Sequence, residues 1–536
     1  MVLRGGLFTH FSKIINNQSI KLRVFVSLMS NVIRAGLNFI SVLLLARSLA
    51  SSGYGELMFL IGSFVSIKSL MDLGTANAFY TFISQGKNRS YHYFVYFSWL
   101  AIQFVLLGLF IIVICPPKLL DIIWLGHSRY LILLAFIASF LQQQGWQTIN
   151  QIGESERKTI WNQIFGVIIA LVNVLGILLL RIFNNLTIPN ILIFYILEYV
   201  IFCVVTFFVL GADQYLFPLK KDNVLVRTIV WEYFRYCYPL IVTTLVGFLY
   251  SYTDTWMLQY FGGSAEQGLF QIANQFATIV LLATSSVLNI FWKEIAVAYE
   301  KKDKIKVQQI YFKAMRGLFM FGAVISGFLI PWTNEIILLF LGEKYINVAP
   351  ILAIMFFYPI HQSMGQLAGA FFLSTNQTRI YSVTSIATML ISIPITYLIQ
   401  SPVDGYPVPG LGLGAFGLSI KIVILNIVSV NVCVYIISRL QRWQYDYQHQ
   451  LYAIVLTSIL GYASYLGARS VGGIFFISSL KITVLLQGVI AAIIYFSGIL
   501  FIIYYIPALV GFSHIEIHKI TQRVKMLIKN VFLGMK

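Results

Sequence analysis

The chain runs to 536 residues, 59% of them hydrophobic and only 10% charged, with a net charge of +18 at pH 7. Apolar residues on that scale cannot all be hidden in one water-soluble interior, which excludes a soluble globular enzyme. The positive balance is no nucleic-acid footprint either. Its Lys and Arg residues sit in short loops between apolar runs, where they set topology and meet anionic headgroups.

In chain order, the first 20 residues place Leu3, Leu7, Phe11 and Ile14 at helical spacing, which predicts an interfacial segment over 1–21. About 14 apolar runs of roughly 20 to 30 residues follow, each long enough to cross a bilayer. They fall near 22–48, 54–80, 91–115, 128–150, 159–181, 188–211, 231–260, 267–292, 314–341, 346–373, 379–400, 410–438, 449–468 and 480–508. The first run is too long for a secretory signal and lacks a small-residue cleavage pattern. Connections are short, and no P-loop or soluble catalytic domain interrupts them. Residues 511–536 form a basic tail.

Charge orients the runs. The connections expected inside carry Arg157, Lys158, Lys220, Lys221 and the cluster Lys301, Lys302, Lys304 and Lys306. Those expected outside hold only Arg47, Lys118, Arg129, Arg181, Lys344, Arg469 and Lys481. This bias predicts an even number of spans with both termini cytoplasmic.

An internal repeat is visible. Ala46-Arg-Ser-Leu-Ala-Ser-Ser-Gly-Tyr-Gly55 joins the first two runs, and Gln259-Tyr-Phe-Gly-Gly-Ser-Ala-Glu-Gln-Gly268 joins the seventh and eighth, 213 positions later. Six spans separate equivalent points. The expected fold is thus an all-α polytopic membrane protein with two pseudo-symmetric six-helix lobes around a central cavity, plus two extra C-terminal helices. The lobes are 22–211 and 231–440, joined by a cytoplasmic linker 212–230 and followed by 441–510. Transporters place substrate between such repeats.

The polar residues inside the runs are the functional candidates. Ser27, Asn31, Arg34, Asn38 and Ser41 lie three and four apart on one helical stripe. A guanidinium facing lipid at that depth is costly, about 2.5–3.5 kcal/mol, so the stripe should face a cavity or an acidic neighbour. Lys68 and Asp72 are spaced i, i+4 and could pair. Arg235 and Lys421 are further cations within runs. Gln271 and Asn274 of the eighth run and Gln362 of the tenth are amides suited to sugar hydroxyls, or equally to gluing helices together. Three carboxylates, Asp72, Glu198 and Asp254, could carry a coupling ion, and Asp254 could instead pair with Lys421.

Enzyme and metal chemistry find no footing. Six of the seven histidines fall at or near loops and tails and only His361 lies well inside a run, no HExxH or CxxC pattern occurs, and the four cysteines read as buried thiols. No cofactor and no metal is expected.

Leu45 to Glu56, Met71-Asp-Leu-Gly-Thr-Ala-Asn-Ala78, Asp254 to Ala273 and Pro409-Gly-Leu-Gly-Leu-Gly-Ala-Phe-Gly417 together resemble the corresponding segments of polysaccharide and O-antigen flippases. These belong to the multidrug/oligosaccharidyl-lipid/polysaccharide (MOP) exporter superfamily. The resemblance implies a bacterial inner-membrane protein that moves an undecaprenyl-diphosphate-linked oligosaccharide between leaflets. It further implies a cationic cavity, to which Arg34, Lys68, Arg235 and Lys421 would contribute, lined by Asn31, Asn38, Gln271, Asn274 and Gln362. H+ or Na+ is the coupling ion it suggests. The partners implied are the lipid-linked oligosaccharide, membrane lipids and polysaccharide-assembly proteins around a monomer, with no nucleic acid. The rival readings are a multidrug/cation antiporter of the same superfamily, a lipid II flippase, whose typical N-terminal sequence is missing, and a membrane polysaccharide polymerase or ligase. Such an enzyme would need a larger outer loop with catalytic residues than these short connections supply.

Overall fold

A computed structural model describes residues 20–86, 89–212, 226–375, 377–404, 408–472, 480–519, 521–522 and 526, without the side chains of 20–24, 282–287, 289–290, 292–293 and 480. Most of the predicted interfacial segment, residues 213–225 of the linker and nearly all of the tail beyond 522 lie outside the described residues. Every regular element among them is helical. In a bilayer core no water satisfies backbone N–H and C=O groups, and a helix bonds them internally.

The first compact unit comprises residues up to 271 together with 389–415. It opens with α1 (Ile20–Asp72), α2 (Thr75–Gln85) and α3 (Arg89–Leu109), the last continued by a π-helical stretch Phe110–Ile114. Next come α4 (Pro117–Trp124), α5 (Arg129–Phe140), a π-helical segment Leu141–Trp146 and α6 (Gln147–Ser155). Then follow α7 (Thr159–Ile182), α8 (Ile188–Val209), α9 (Val226–Cys237), α10 (Ile241–Met257), a further π-helical stretch Leu258–Gly262 and the start of α11 (Gly263–Glu300). Helix α1 packs along α7 and α10. An aromatic core fills the space between α2, α3, α6 and α9, with Phe79 stacked on Tyr96 at 4.2 Å.

The second unit, 272–388 with 416–536, holds α12 (Lys304–Leu329), α13 (Thr333–Phe340), α14 (Val348–Met355), α15 (Tyr358–Ser374), α16 (Thr378–Gln400), α17 (Gly414–Gln441), α18 (Gln448–Gly472) and α19 (Leu480–Tyr505). Helices α11 and α16 are shared between the two units. Its core gathers Tyr311, Met315, Phe319, Met364, Phe371 and Tyr495. Helices α12 and α18 cross where Gly461 meets the carbonyl of Gly327, a small-residue contact of the kind that brings membrane helices close.

Ten described helices are long and apolar enough to cross a membrane, or eleven if Pro117–Trp124 and Arg129–Ser155, bent by 57°, count as one span. The fourteen crossings expected from the sequence are not reached on that count. Part of the difference is α1, where Phe25–Asp72 is taken as one element of 48 residues. At 1.5 Å per residue it is about 70 Å long, more than twice the hydrocarbon core. It breaks at Ala50 (φ 58°, ψ 175°), inside the predicted connection.

The second junction breaks the same way. Gly263, at φ 78° and ψ 177°, separates the π-helical stretch from α11, and it is the residue 213 positions after Ala50. The two junctions also touch. A Cβ on Gly55 would run into the carbonyl oxygen of Ser264, and one on Gly268 into that of Ser51. These contacts are reciprocal under the same offset, so the repeat read in the sequence is a symmetric crossing in space.

Candidate functional site

Helix α1 ends at Asp72 because Gly74 takes a left-handed conformation (φ 86°) and Asp72 caps the helix that follows. Its Oδ1 accepts from Thr75 Oγ1 at 3.0 Å and from the backbone N–H of Ala76 at 2.8 Å. Opposite, the π-helical segment Leu141–Trp146 widens the helix by one residue over Gln142, Gln143 and Gln144. π-bulges of this kind recur at functional sites because they re-aim side chains.

Between these elements and α10 lies a pocket of ≈ 540 Å³ whose wall mixes polar side chains with Val65 and Leu240. Ser66, Lys68, Ser69 and Asp72 of α1 line it, with Asn77 of α2, Gln143, and Thr243, Thr244, Gly247 and Ser251 of α10. Lys68 is half-buried and donates to Gln147 Oε1, so it does not form the predicted pair with Asp72. The physical reason is competition: Asp72 is engaged by the helix cap, and an amide oxygen is within reach of the ammonium.

Arg34 lies on the first half of α1. It is half-buried and donates to Asn31 Oδ1, its neighbour on the predicted stripe. Its guanidinium lies over Gly166 of α7, where a Cβ would stand 2.9 Å from Nη1. Neither Arg34 nor Lys68 meets a carboxylate among the described residues; each is held by an amide.

The other candidates are dispersed. Asn31, Asn38 and Arg235 are exposed, Gln271, Asn274 and Gln362 half-buried, and Lys421 is 2% exposed. None of these lines the pocket. Asp254 is half-buried and accepts from Thr396 Oγ1 at 2.7 Å. Glu198 is buried and accepts from Asn173 Nδ2 at 2.9 Å. Among the described residues no group of three or more His, Cys, Asp or Glu side chains could hold a metal ion.

Sequence reasoning missed several partners. Gln147 was visible as one of a run of amides, but nothing local tied it to Lys68. His361 was noted as interior; its partner, Gln450 Oε1 at 3.1 Å, also joins Asn431, in a polar contact among α15, α17 and α18. Glu266 accepts from the backbone N–H of Ala415 at 2.7 Å and so caps α17 from a distant part of the chain.

A family model described as polysaccharide biosynthesis protein matches residues 22–291, half of the chain and the whole of the pocket. The chain belongs to this family. A second model, MatE, matches residues 239–398. Together they put the chain in the MOP superfamily, on its polysaccharide flippase branch. No curated protein matches it in sequence. Among solved structures, the lipid II flippase MurJ in an inward closed conformation is 15% identical, with a TM-score of 0.66, covering 91% of this chain and 99% of that one. An inward-facing multidrug resistance MATE family transporter of the MOP superfamily is 16% identical at a TM-score of 0.57, covering 79% and 100%. A MOP superfamily transporter from Pyrococcus furiosus, described by the reverse polarity of its binding pocket, is 15% identical at 0.53, covering 80% and 97%. Identities this low establish a shared fold. With ten or eleven described helices long and apolar enough to cross a membrane, the chain is a multi-pass membrane protein of the polysaccharide biosynthesis protein family.

Proposed function

We propose that this protein turns a polyprenyl-diphosphate-linked oligosaccharide from the cytoplasmic to the outer leaflet of a bacterial inner membrane, by alternating access between two six-helix lobes and at the expense of an ion gradient. The observation that carries this reading is the state of the two interior cations. Arg34 and Lys68 are bonded to the amides of Asn31 and Gln147 rather than to carboxylates. Neither charge is cancelled by a direct salt bridge, and Arg34 in particular is open to an incoming anion, while Lys68 shares its pocket with Asp72.

A diphosphate is the anion that suits them. Guanidinium and ammonium groups bind phosphate oxygens by charge-assisted hydrogen bonds, strengthened where water is scarce. The hydroxyls and amides of the pocket, Ser66, Ser69, Gln143, Thr243 and Thr244, offer donors and acceptors for sugars. The prenyl tail can stay in lipid while the head crosses. One proton or sodium ion moving inward would supply about 2.3 kcal/mol per 100 mV. Arg235 and Lys421 belong to the same proposal as outer contributors, and Asp72, Glu198 and Asp254 as candidates for the coupling ion.

The test is a leaflet-resolved assay of a diphosphate-linked oligosaccharide lipid in vesicles, with and without a proton or sodium gradient. Arg34→Ala and Lys68→Ala should each slow translocation by about tenfold or more, the worth of one charge-assisted bond. Unchanged rates in both variants would remove the reading. Gradient-driven movement of a hydrophobic cation in place of the lipid would favour an antiporter.

A further inference from the structure

Glu198 differs from the other interior carboxylates of the first unit. It is 3% exposed, its Oε2 is held by Asn173, and its Oε1 is buried with no hydrogen-bond partner among the described residues. Asp72 and Asp254, by contrast, are only half-buried.

Among the described residues, the groups facing Glu198 carry no positive charge. Tyr195 and Tyr199 are its neighbours on α8, and Tyr199 Oη accepts from Gln142 Nε2 at 3.0 Å. Tyr54 of α1 approaches Tyr195, and Asn173 is the contact from α7. Cys203 lies one turn beyond Tyr199 as a free thiol. Arg129, the cation of α5, donates instead to the carbonyl oxygens of Ile112 and Cys115, at 2.6 and 3.2 Å. Glu154 of α6 is occupied by Thr159 Oγ1. A carboxylate anion with one bare oxygen and no cation is strongly disfavoured in such a place, whereas the neutral acid is tolerated.

We infer that Glu198 is a proton-loading site, protonated in the state described here and deprotonated in another state of the transport cycle. Its position gives it a route to the candidate anion site. Gly166 and Asn173 are seven residues apart on α7, two turns and therefore one face, about 10 Å along the axis. Arg34 rests on the first and Glu198 on the second. A movement of α1 along α7 that presents Arg34 to an anion thus also alters the surroundings of Glu198. The chemistry is one O–H bond made at Glu198 from a proton of one aqueous side and broken towards the other; no other bond changes. This deepens the flippase reading and rests on it for the meaning of the coupling, though not for the proton itself.

Two readouts separate these. Infrared spectroscopy of the purified full chain in vesicles at neutral pH should show the carbonyl stretch of a buried carboxylic acid, absent in Glu198→Gln and displaced in Glu198→Asp. If Glu198→Gln does not assemble, Glu198→Asp alone decides: a displaced band supports the site and an unmoved one overturns it. In the leaflet assay, Glu198→Gln should lose the acceleration by a proton gradient, about tenfold or more. No acid band in the wild type, or full gradient acceleration in Glu198→Gln, overturns the inference. An acid band that depends on Glu198 in a protein that fails to move the diphosphate lipid would leave the proton site standing and overturn the substrate reading instead.

Discussion

The two junctions of the repeat, residues 46–55 and 259–268, share a backbone but not a chemistry. Both break a helix with nearly the same dihedrals, yet one does so with Ala50 and the other with Gly263. That conformation is open to glycine and strained for alanine, at a cost of order 1–3 kcal/mol. The close crossing allows no such latitude, because Gly55 and Gly268 each meet a carbonyl oxygen of the opposite junction. Around the junctions the divergence is larger. Under the same offset Arg34 corresponds to Gly247 and Lys68 to Leu281. The repeat preserves the positions where backbones touch, and it does not preserve Arg34 and Lys68: the buried cation of the second copy, Lys421, stands elsewhere in it.

The most severe way to break this comparison is at the crossing. Gly55→Val and Gly268→Val should each abolish assembly, seen as loss of a monodisperse detergent-solubilised peak, since overpacking alone costs about 1–3 kcal/mol or more and here backbone must separate from backbone. Tolerance of either valine would show the contact to be loose. The asymmetry of charge is sharpened next. Arg34→Ala should cut transport by about tenfold or more, while Gly247→Ala, with nothing within 4 Å of its new methyl, should raise stability by about 0.5–1 kcal/mol through helix propensity. Because that methyl enters the pocket without removing a charge, it should change transport by much less than Arg34→Ala. Equal losses at both positions would mean that the second copy contributes to binding after all.

The shared break predicts opposite signs for opposite swaps. Gly263→Ala should lower the thermal midpoint by the equivalent of about 1–3 kcal/mol, and Ala50→Gly should raise it by up to a similar amount less the entropy cost of glycine, about 0.5–1 kcal/mol. Matching signs would refute equivalence. Smaller again is Asp72→Ala, which should cost about 1 kcal/mol as a lost cap and leave the response to an ion gradient intact; loss of that response would favour Asp72 over Glu198 among the coupling candidates.

The smallest effect lies outside both copies. Glu516 is held down to about 2 by the hydrogen bond from Lys313 at 2.6 Å and by the backbone N–H of Ser513. A depressed carboxyl stabilises above its unfolded value near 4.5 and loses that contribution as pH falls towards 2. Because the pair is exposed, solvent screening keeps the change slight. Glu516→Gln should flatten the wild-type decline in thermal midpoint over that range, and an unaltered decline would assign it to other groups.

Much of this could be read before any coordinates. Apolar run length announced the spans, and the stripe from Ser27 to Ser41 placed Arg34 beside Asn31, because residues three and four apart on a helix must be neighbours. The repeat was legible because glycines at close crossings leave a pattern. Asp72 could have been read as a cap from Asp-Leu-Gly-Thr, but its spacing from Lys68 suggested a pair instead. The partners of Lys68, Glu198 and Asp254 were not legible. Gln147, Asn173 and Thr396 are ordinary polar residues, and only packing selects among many such amides and hydroxyls.

Order along the chain, helical content, the break points and the family were thus determined by the sequence, because bilayer length, the hydrogen-bonding demand of the backbone and the steric exclusion at glycine act locally. Which cation stays unneutralised, and which carboxyl lies buried with a bare oxygen, was decided only by the tertiary structure. Those properties depend on what stands opposite a side chain, and helices distant in sequence bring it there.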